Sequence, residues 1–305
     1  MTSDYATTIG DIAAADDRVM VLTAENRVPV RGLPARLGPR FVDTGIAEQT
    51  LVGMSAGLAL RGRIPVAHAL AAFLTMRAFE FIRTDVGVGG LPVKLVGYVP
   101  GILSTANGPT HQALEDVALM RGIPGLRVFC PADAEDLALG LRAVVRDPSP
   151  WYVRYVDRPA VIRHAPFEIG RGEVVRRGTD VGLLVAGALF REAHDAAGRL
   201  ATSGLSVRLV NMRTLKPADE ETIVTTAETT RLVVTIEDHF RTGGLYSTVT
   251  EILCRRRLLT PVHAVCLEDR WFTPGLLDRV LEQERLAGTH IASRVTAALE
   301  RIHAR

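Results

Sequence analysis

The chain has 305 residues, 47% of them hydrophobic and 23% charged, which excludes a disordered, collagen-like or coiled-coil protein. Lys and Arg number 36 against 34 Asp and Glu, a net charge of +2 that gives no reason to expect nucleic acid or an anionic membrane as partner. No apolar run approaches the ~20 residues of a membrane span. Residues 1–17 include acidic side chains and no apolar signal core. The expectation is a soluble cytoplasmic protein. At roughly 150 residues per domain the length suggests two domains.

Strand-type and helix-type runs alternate along the first half. Strands are predicted at 18–22, 64–67, 91–99, 126–130 and 151–156, with helices at 46–60, 73–84, 112–120 and 132–146. Helix 132–146 repeats its apolar residues at helical spacing, at Leu137, Leu141, Val144 and Val145. Segment 157–178 then carries two prolines and no helical period, and the domain boundary is placed near residue 165. The alternation restarts with strands at 181–186, 206–210, 231–236 and 261–265. The helices of this half are expected at 191–202, 217–227, 245–256, 276–281 and 289–302. Such a pattern implies two α/β/α domains built on mainly parallel sheets, 1–165 and a smaller 166–305.

Two short segments stand out. Glu48 heads a helix whose following residues are apolar or small, including Leu51, Val52, Gly53, Met54, Ala56 and Gly57. A carboxylate at the head of a buried helix is costly without a partner, although a first-turn Glu is also favoured by the helix dipole. Gly108-Pro109-Thr110-His111-Gln112 reads as a turn with Thr110 capping the next helix, which puts His111 in its first turn. That turn follows a strand, and ligands in open α/β sheets bind beyond the carboxyl ends of strands.

Other chemistries find no pattern. The remaining histidines form no HExxH or His-x-His motif. No GxGxxG or GxxxxGK[ST] sequence occurs, Met54-Ser55-Ala56-Gly57 is not read as a nucleophile elbow, and Gly243-Gly244 reads as backbone flexibility at a helix start. Cys130, Cys254 and Cys266 lie far apart and read as buried thiols in a reducing compartment.

In order, RFVDTGIAEQTLVGMSAGLAL, AAFLTMRAFEFIRTDV, NGPTHQALEDVALMRGIPGLRVFCPAD and PWYVRY resemble the pyrimidine-binding domain of the transketolase family. VRLVNMRTLKPADEE and VVTIEDHFRTGGLYSTVTEIL resemble that family's C-terminal domain. The resemblance covers almost the whole chain. It implies a thiamine diphosphate cofactor whose aminopyrimidine is engaged by Glu48, in a dry setting that lets the carboxyl hold a proton. It implies stacking by Phe73, an apolar wall from Leu70 and Met76, substrate contact and proton transfer by His111, and a sugar-phosphate anchor at Arg154. The family's Gly-Asp-Gly diphosphate segment does not occur in this sequence. The resemblance is therefore to the C-terminal subunit of a split transketolase. A separate N-terminal subunit is expected to supply the diphosphate site and its divalent cation, Mg or Ca, in a heterotetramer.

Some positions depart from the family. Asn107 stands where an Asp is common, Val99 where a His is common, and Thr50 follows GIAEQ where a His is common. These changes leave cofactor activation intact and alter the wall that meets the donor. The expected activity is transfer of a two-carbon ketol unit from a ketose, with phosphorylated substrates, to an aldose, in a specialised pathway. The rival readings are the beta subunit of a 2-oxoacid dehydrogenase decarboxylase, against which GIAEQ and GPTHQ argue, and a non-catalytic stabilising partner, against which Glu48 argues.

Overall fold

The computed structural model describes residues 5–104 and 107–303. The outer limits expected for the two domains, 1 and 305, lie outside the described residues. In the first half α1 (Tyr5–Ala15), β1 (Val19–Thr23), α2 (Leu33–Leu37), β2 (Phe41–Asp43), α3 (Glu48–Leu60) and β3 (Ile64–Leu70) are followed by α4 (Phe79–Phe81) and β4 (Lys94–Tyr98). Then come α5 (Asp116–Arg121), β5 (Arg127–Phe129), α6 (Ala134–Arg146) and β6 (Trp151–Arg154). The second half runs β7 (Glu173–Arg176), β8 (Val181–Val185), α7 (Phe190–Thr202), β9 (Val207–Asn211), β10 (Thr214–Lys216) and α8 (Glu220–Thr229). It ends with β11 (Leu232–Phe240), α9 (Leu245–Arg256), β12 (Val262–Leu267), α10 (Leu277–Gln283) and α11 (Gly288–His303).

The strands form two sheets, ordered β10-β5-β6-β4-β3-β1-β2 and β12-β11-β8-β9-β7. Both are parallel except for one antiparallel edge strand each, β10 and β7. Every residue of β1, β8 and β9 is buried, which is why these strands read as Val- and Leu-rich runs rather than alternating ones. Helix α6 begins where the Asp133 carboxylate accepts the backbone N–H groups of Glu135 and Asp136 at 3.0 and 3.1 Å. Its buried face is Leu137, Leu141, Val144 and Val145, as the spacing predicts.

The sequence pattern missed α1, α2, β2, β7 and β10. The strands among these are only three or four residues long, too short for a period to show. The helix predicted over 73–84 is two π-helical turns, Phe73–Arg77 and Ile82–Gly87, around α4. The helix predicted from 112 begins only at Asp116. Strand β10 comes from the second half yet completes the first half's sheet by pairing with β5. Of the three thiols, Cys130 and Cys266 are buried, whereas Cys254 is exposed because α9 turns that face outward. Among the described residues, no helix is long and apolar enough to cross a membrane.

The halves share one apolar core, in which Leu22, Leu51 and Leu74 belong to the same cluster as Leu184, Ile223 and Leu245. Two buried ionic groups cross the same junction. In the first, Arg154 Nε donates to Asp116 at 2.9 Å and Nη1 to Asp238 at 2.7 Å, all three nearly inaccessible to solvent. Tyr152 adds a 2.6 Å hydrogen bond to Asp116. In the second, Arg213 pairs with Asp136 at 2.8 Å and Glu173 at 3.1 Å. His164 there lies 2.8 Å from Asp133 and 2.7 Å from Glu173.

Glycines let the halves approach. A Cβ on Gly243 would stand 2.3 Å from the Ala118 Cβ across the junction, and within the second half one on Gly244 would stand 2.0 Å from the Glu237 carboxylate. The Gly-Gly pair thus serves close packing, not the flexibility read from the sequence.

Removing one member of a buried ion pair leaves an uncompensated charge and costs about 3–5 kcal/mol. Arg154→Ala is expected to lose that much in urea unfolding, and a loss under ~1 kcal/mol would show that the two aspartates are not held by it. Burial alone pushes the His164 pKa down, but its bonds to Asp133 and Glu173 outweigh this and raise it from 6.5 to about 10. Its stabilisation is therefore complete below pH 6.5 and is lost as pH rises through about 10. Buried Lys94, pulled down to about 7, contributes an opposite slope over much of that range. The readout is consequently the stability of the native protein minus that of His164→Gln, which should shrink between those two pH values; a constant difference is the contrary result.

Candidate active site

Strands β2, β3 and β4 run parallel and end on one edge of the first sheet, and each is followed by a segment carrying one of the expected site residues. Chain order reverses beside β1, with β2 on one side and β3 on the other, so this edge is a topological switch point.

After β2 the chain turns at Gly45, whose φ of +68° suits a residue without Cβ. Asp43 fixes the turn by accepting Gly45 N–H at 3.0 Å, Glu25 N–H at 3.1 Å and Arg27 Nε at 2.6 Å. Glu48 is then the first residue of α3 and only 3% exposed. The partner that such a carboxylate needs is Arg77, whose Nη1 donates to Glu48 Oε2 at 3.0 Å. Beyond Glu48 the helix is not buried all round as its composition suggests. Met54 and Leu60 are exposed, and a Cβ on Gly57 would meet no atom within 4 Å.

After β3 the chain enters the first π-helical turn, in which Ala78 N–H bonds to Phe73 O at 3.3 Å. Such turns concentrate at functional sites because they re-aim side chains. This one stacks the Arg77 guanidinium over the Phe73 ring, 4.3 Å from its centroid. Phe73 packs on Ala71, Ala72 and Ala113. Its ring meets that of His111 edge-on at 5.1 Å, and His111 Nδ1 lies 2.8 Å from the Thr110 hydroxyl. Glu48, Arg77, Phe73 and His111 thus form a continuous row.

His111 sits after a short 3-10 turn, Gly108–Thr110, rather than in a helix, and Thr110 donates back to Asn107 O at 3.3 Å instead of capping α5. The turn is set by Gly108 at φ +68°, against which Pro274 of the second half packs. Leu70 is half-buried at the end of β3, and Met76 and Asn107 are exposed. Val99, directly after β4, has φ +48°, a conformation that is an outlier for a β-branched residue. Strain of that kind costs about 1–3 kcal/mol and gathers at functional loops.

Arg154 does not join the row. It is 2% exposed and its guanidinium is committed to Asp116 and Asp238, so the anchor expected from the sequence is a tie between the halves. Sequence reading missed Arg77, although it lies in the same segment as Phe73, four residues on. It also missed Glu237 and Asp238, whose signal was two adjacent carboxylates at the end of an apolar strand. Burial pushes the Glu237 carboxyl up to about 7 against the pull of the Tyr246 and Leu245 N–H groups that it accepts.

The row forms an open wall. A hollow of about 1100 Å³ between α6 and segment 157–163 contains none of its members. Among the described residues no group of three or more His, Cys, Asp or Glu could hold a metal ion. A buried carboxylate beside an aromatic ring and an imidazole suits a flat nitrogen heterocycle, with the carboxyl able to exchange a proton with a ring nitrogen.

Residues 1–158 match the transketolase pyrimidine-binding domain family, and residues 170–291 match the transketolase C-terminal domain family. The 6-deoxy-6-sulfo-D-fructose transketolase subunit SqwH of Clostridium sp. (strain MSTE9) is 34% identical over 97% of this chain and 94% of its own. One of the subunits of the apulose-4-phosphate transketolase of Phocaeicola vulgatus is 33% identical over 87% of this chain and 86% of its own. A solved structure described as a split gene transketolase, inactive beta4 tetramer, superposes with a TM-score of 0.89 at 34% identity, covering 98% of this chain and 97% of that one.

Proposed function

The chain belongs to the transketolase family, and from that premise we propose that it is the C-terminal subunit of a split, thiamine diphosphate-dependent transketolase. The observation that carries the proposal is the row of Glu48, Arg77, Phe73 and His111 at the carboxyl ends of parallel strands. The residues fit the pyrimidine half of the cofactor. When bound, thiamine diphosphate supplies a stabilised carbanion for breaking and making a carbon–carbon bond. The diphosphate and its divalent cation, Mg or Ca, are assigned to an N-terminal partner subunit in a heterotetramer.

Within this chain, Glu48 holds or releases a proton at a pyrimidine ring nitrogen. Its Oε2 is occupied by Arg77, and its Oε1 has no partner among the described residues. Arg77 fixes the direction of the carboxylate and orients Phe73 beneath it. Phe73 stacks on the pyrimidine with the face that Arg77 leaves open, flanked by Leu70 and Met76. His111, braced by Thr110, faces substrate and moves a proton at the sugar hydroxyl or carbonyl. Anchoring of phosphate by Arg154 forms no part of the proposal, because the side chain is only 2% exposed and its Nε and Nη1 are held by Asp116 and Asp238.

The similar solved structure contains only beta subunits and is described as inactive. Carried to this chain, that supports dependence on the partner: the purified chain with thiamine diphosphate and magnesium should show no turnover, and turnover by it alone refutes the proposal. In the assembled enzyme Glu48→Gln keeps size but cannot hold a carboxyl proton. It should slow proton exchange at the thiazolium carbon by about 10²–10⁴-fold. An unchanged exchange rate would remove Glu48 from the mechanism.

Val99 and Asn107 give the donor wall fewer charged and hydrogen-bonding groups than His and Asp, and lost polar contacts weaken discrimination for hydroxylated ligands. The two relatives named above act, by their names, on a sulfo-deoxy sugar and a branched sugar phosphate. The reading that follows is a preference for a modified sugar donor. Comparing kcat/KM for xylulose 5-phosphate with deoxy, amino and sulfo donors tests it, and a maximum with xylulose 5-phosphate and ribose 5-phosphate would refute it.

A further inference from the structure

We propose that the second domain carries a binding site for a small phosphate-bearing ligand, in the hollow between edge strand β12, the turn after α10 and one side of α11. The hollow measures about 380 Å³, within the size range of small-molecule sites. Arg270 enters it from the segment after β12, Arg285 from the turn after α10, and Arg294 and Arg301 from α11. The last two are seven residues apart, which places them on one helix face.

The charge in this hollow is not balanced by protein. Two carboxylates also line it, and both are engaged: Glu284 by Arg270 at 2.7 Å, and Glu268 by Arg241 at 3.3 Å. Arg294 donates to the Ala264 carbonyl at 2.8 Å and has no carboxylate partner among the described residues. The side chains of Arg285 and Arg301 have neither an ion pair nor a hydrogen bond among the described residues. His263, on β12, supplies a separate sign of a ligand: its Nε2 is buried without a hydrogen-bond partner. Burial first, opposed by Cys266 and Glu268 and reinforced by Arg285 and Arg241, holds the Arg294 pKa below its ordinary value. Burial followed by Arg294, Arg301 and Arg241 does the same to His263.

Three guanidinium groups without carboxylates, around a ring nitrogen that can donate, match the oxygens of a dianion. Arginine forks bind phosphate oxygens two at a time, and each such bond is charge-assisted. A neutral sugar would leave the repulsion in place. An extended nucleic acid is not matched either, since the chain carries a net charge of only +2. The site shares no residue with the Glu48 row, so its test is independent of the proposed activity.

The full chain is titrated with inorganic phosphate and with pyrophosphate against sodium chloride of equal ionic strength. Heat is followed by calorimetry and the His263 ring signals by NMR. Expected are saturable binding and movement of the His263 signals. A double variant, Arg285→Gln with Arg301→Gln, should bind at least ~10-fold more weakly, the cost of one or two lost charge-assisted hydrogen bonds. Both side chains are exposed, so the variant should keep its unfolding temperature. Arg77→Gln, which would remove adventitious binding at the Glu48 row, should leave the affinity unchanged. No saturable binding of either anion beyond the chloride control overturns the proposal. So does binding that survives the double variant or vanishes in Arg77→Gln.

Discussion

The Arg154 guanidinium, buried between Asp116 and Asp238, is the contact on which the arrangement of the two halves depends. Arg154 ends β6, Asp116 begins α5, and Asp238 lies near the end of β11. Taking three charges out of water is costly, and the arrangement is retained only with close geometry and added bonds such as that from Tyr152. Burial still raises the Asp238 pKa, with Arg154 pulling it back down. The surrounding backbone is shaped to this cluster: a Cβ on Gly101 would fall 1.8 Å from an Asp238 oxygen, and one on Gly187 would lie 3.2 Å from Arg154.

That constraint reaches the candidate site through the backbone. Gly101 N–H bonds to Ala113 O at 2.9 Å and Phe240 N–H to Leu114 O at 3.0 Å, so the segment holding His111 is tied on both sides. Ala113 in turn packs with Phe73. The second half therefore contributes no member of the Glu48 row but fixes the position of half of it. Pro274 against Gly108 does the same from a third direction.

The row combines a rigid base with local strain. Glu48 stands on the first turn of α3, pinned by the Asp43 turn, whereas Phe73 and Arg77 stand on a π-helical turn and Val99 has a left-handed backbone. Irregular backbone of this sort is stable only where surrounding packing determines it, and Leu74, Ala78 and Ile82 supply that packing from the shared core.

The sequence by itself determined the fold class, because fully buried parallel strands must be apolar throughout and α6 and its like must carry an apolar stripe. It also singled out Glu48 and His111 as candidates, since a carboxylate heading an apolar helix and a histidine after Gly-Pro-Thr are visible as local conflicts between charge and surroundings; Phe73 became a candidate only through the family resemblance. What it could not determine were partnerships made at long range. Arg77 and Glu48 are 29 residues apart and Arg154 and Asp238 are 84 apart. No local period or motif records whether an arginine faces a ligand or closes a domain junction. Only the tertiary structure decided that Arg77 pairs with Glu48 and Arg154 with Asp238 across the junction, because burial and the direction of each guanidinium are set by the packing of two halves against each other. The same holds for β10, whose three residues become a strand only because β5 offers an unpaired edge.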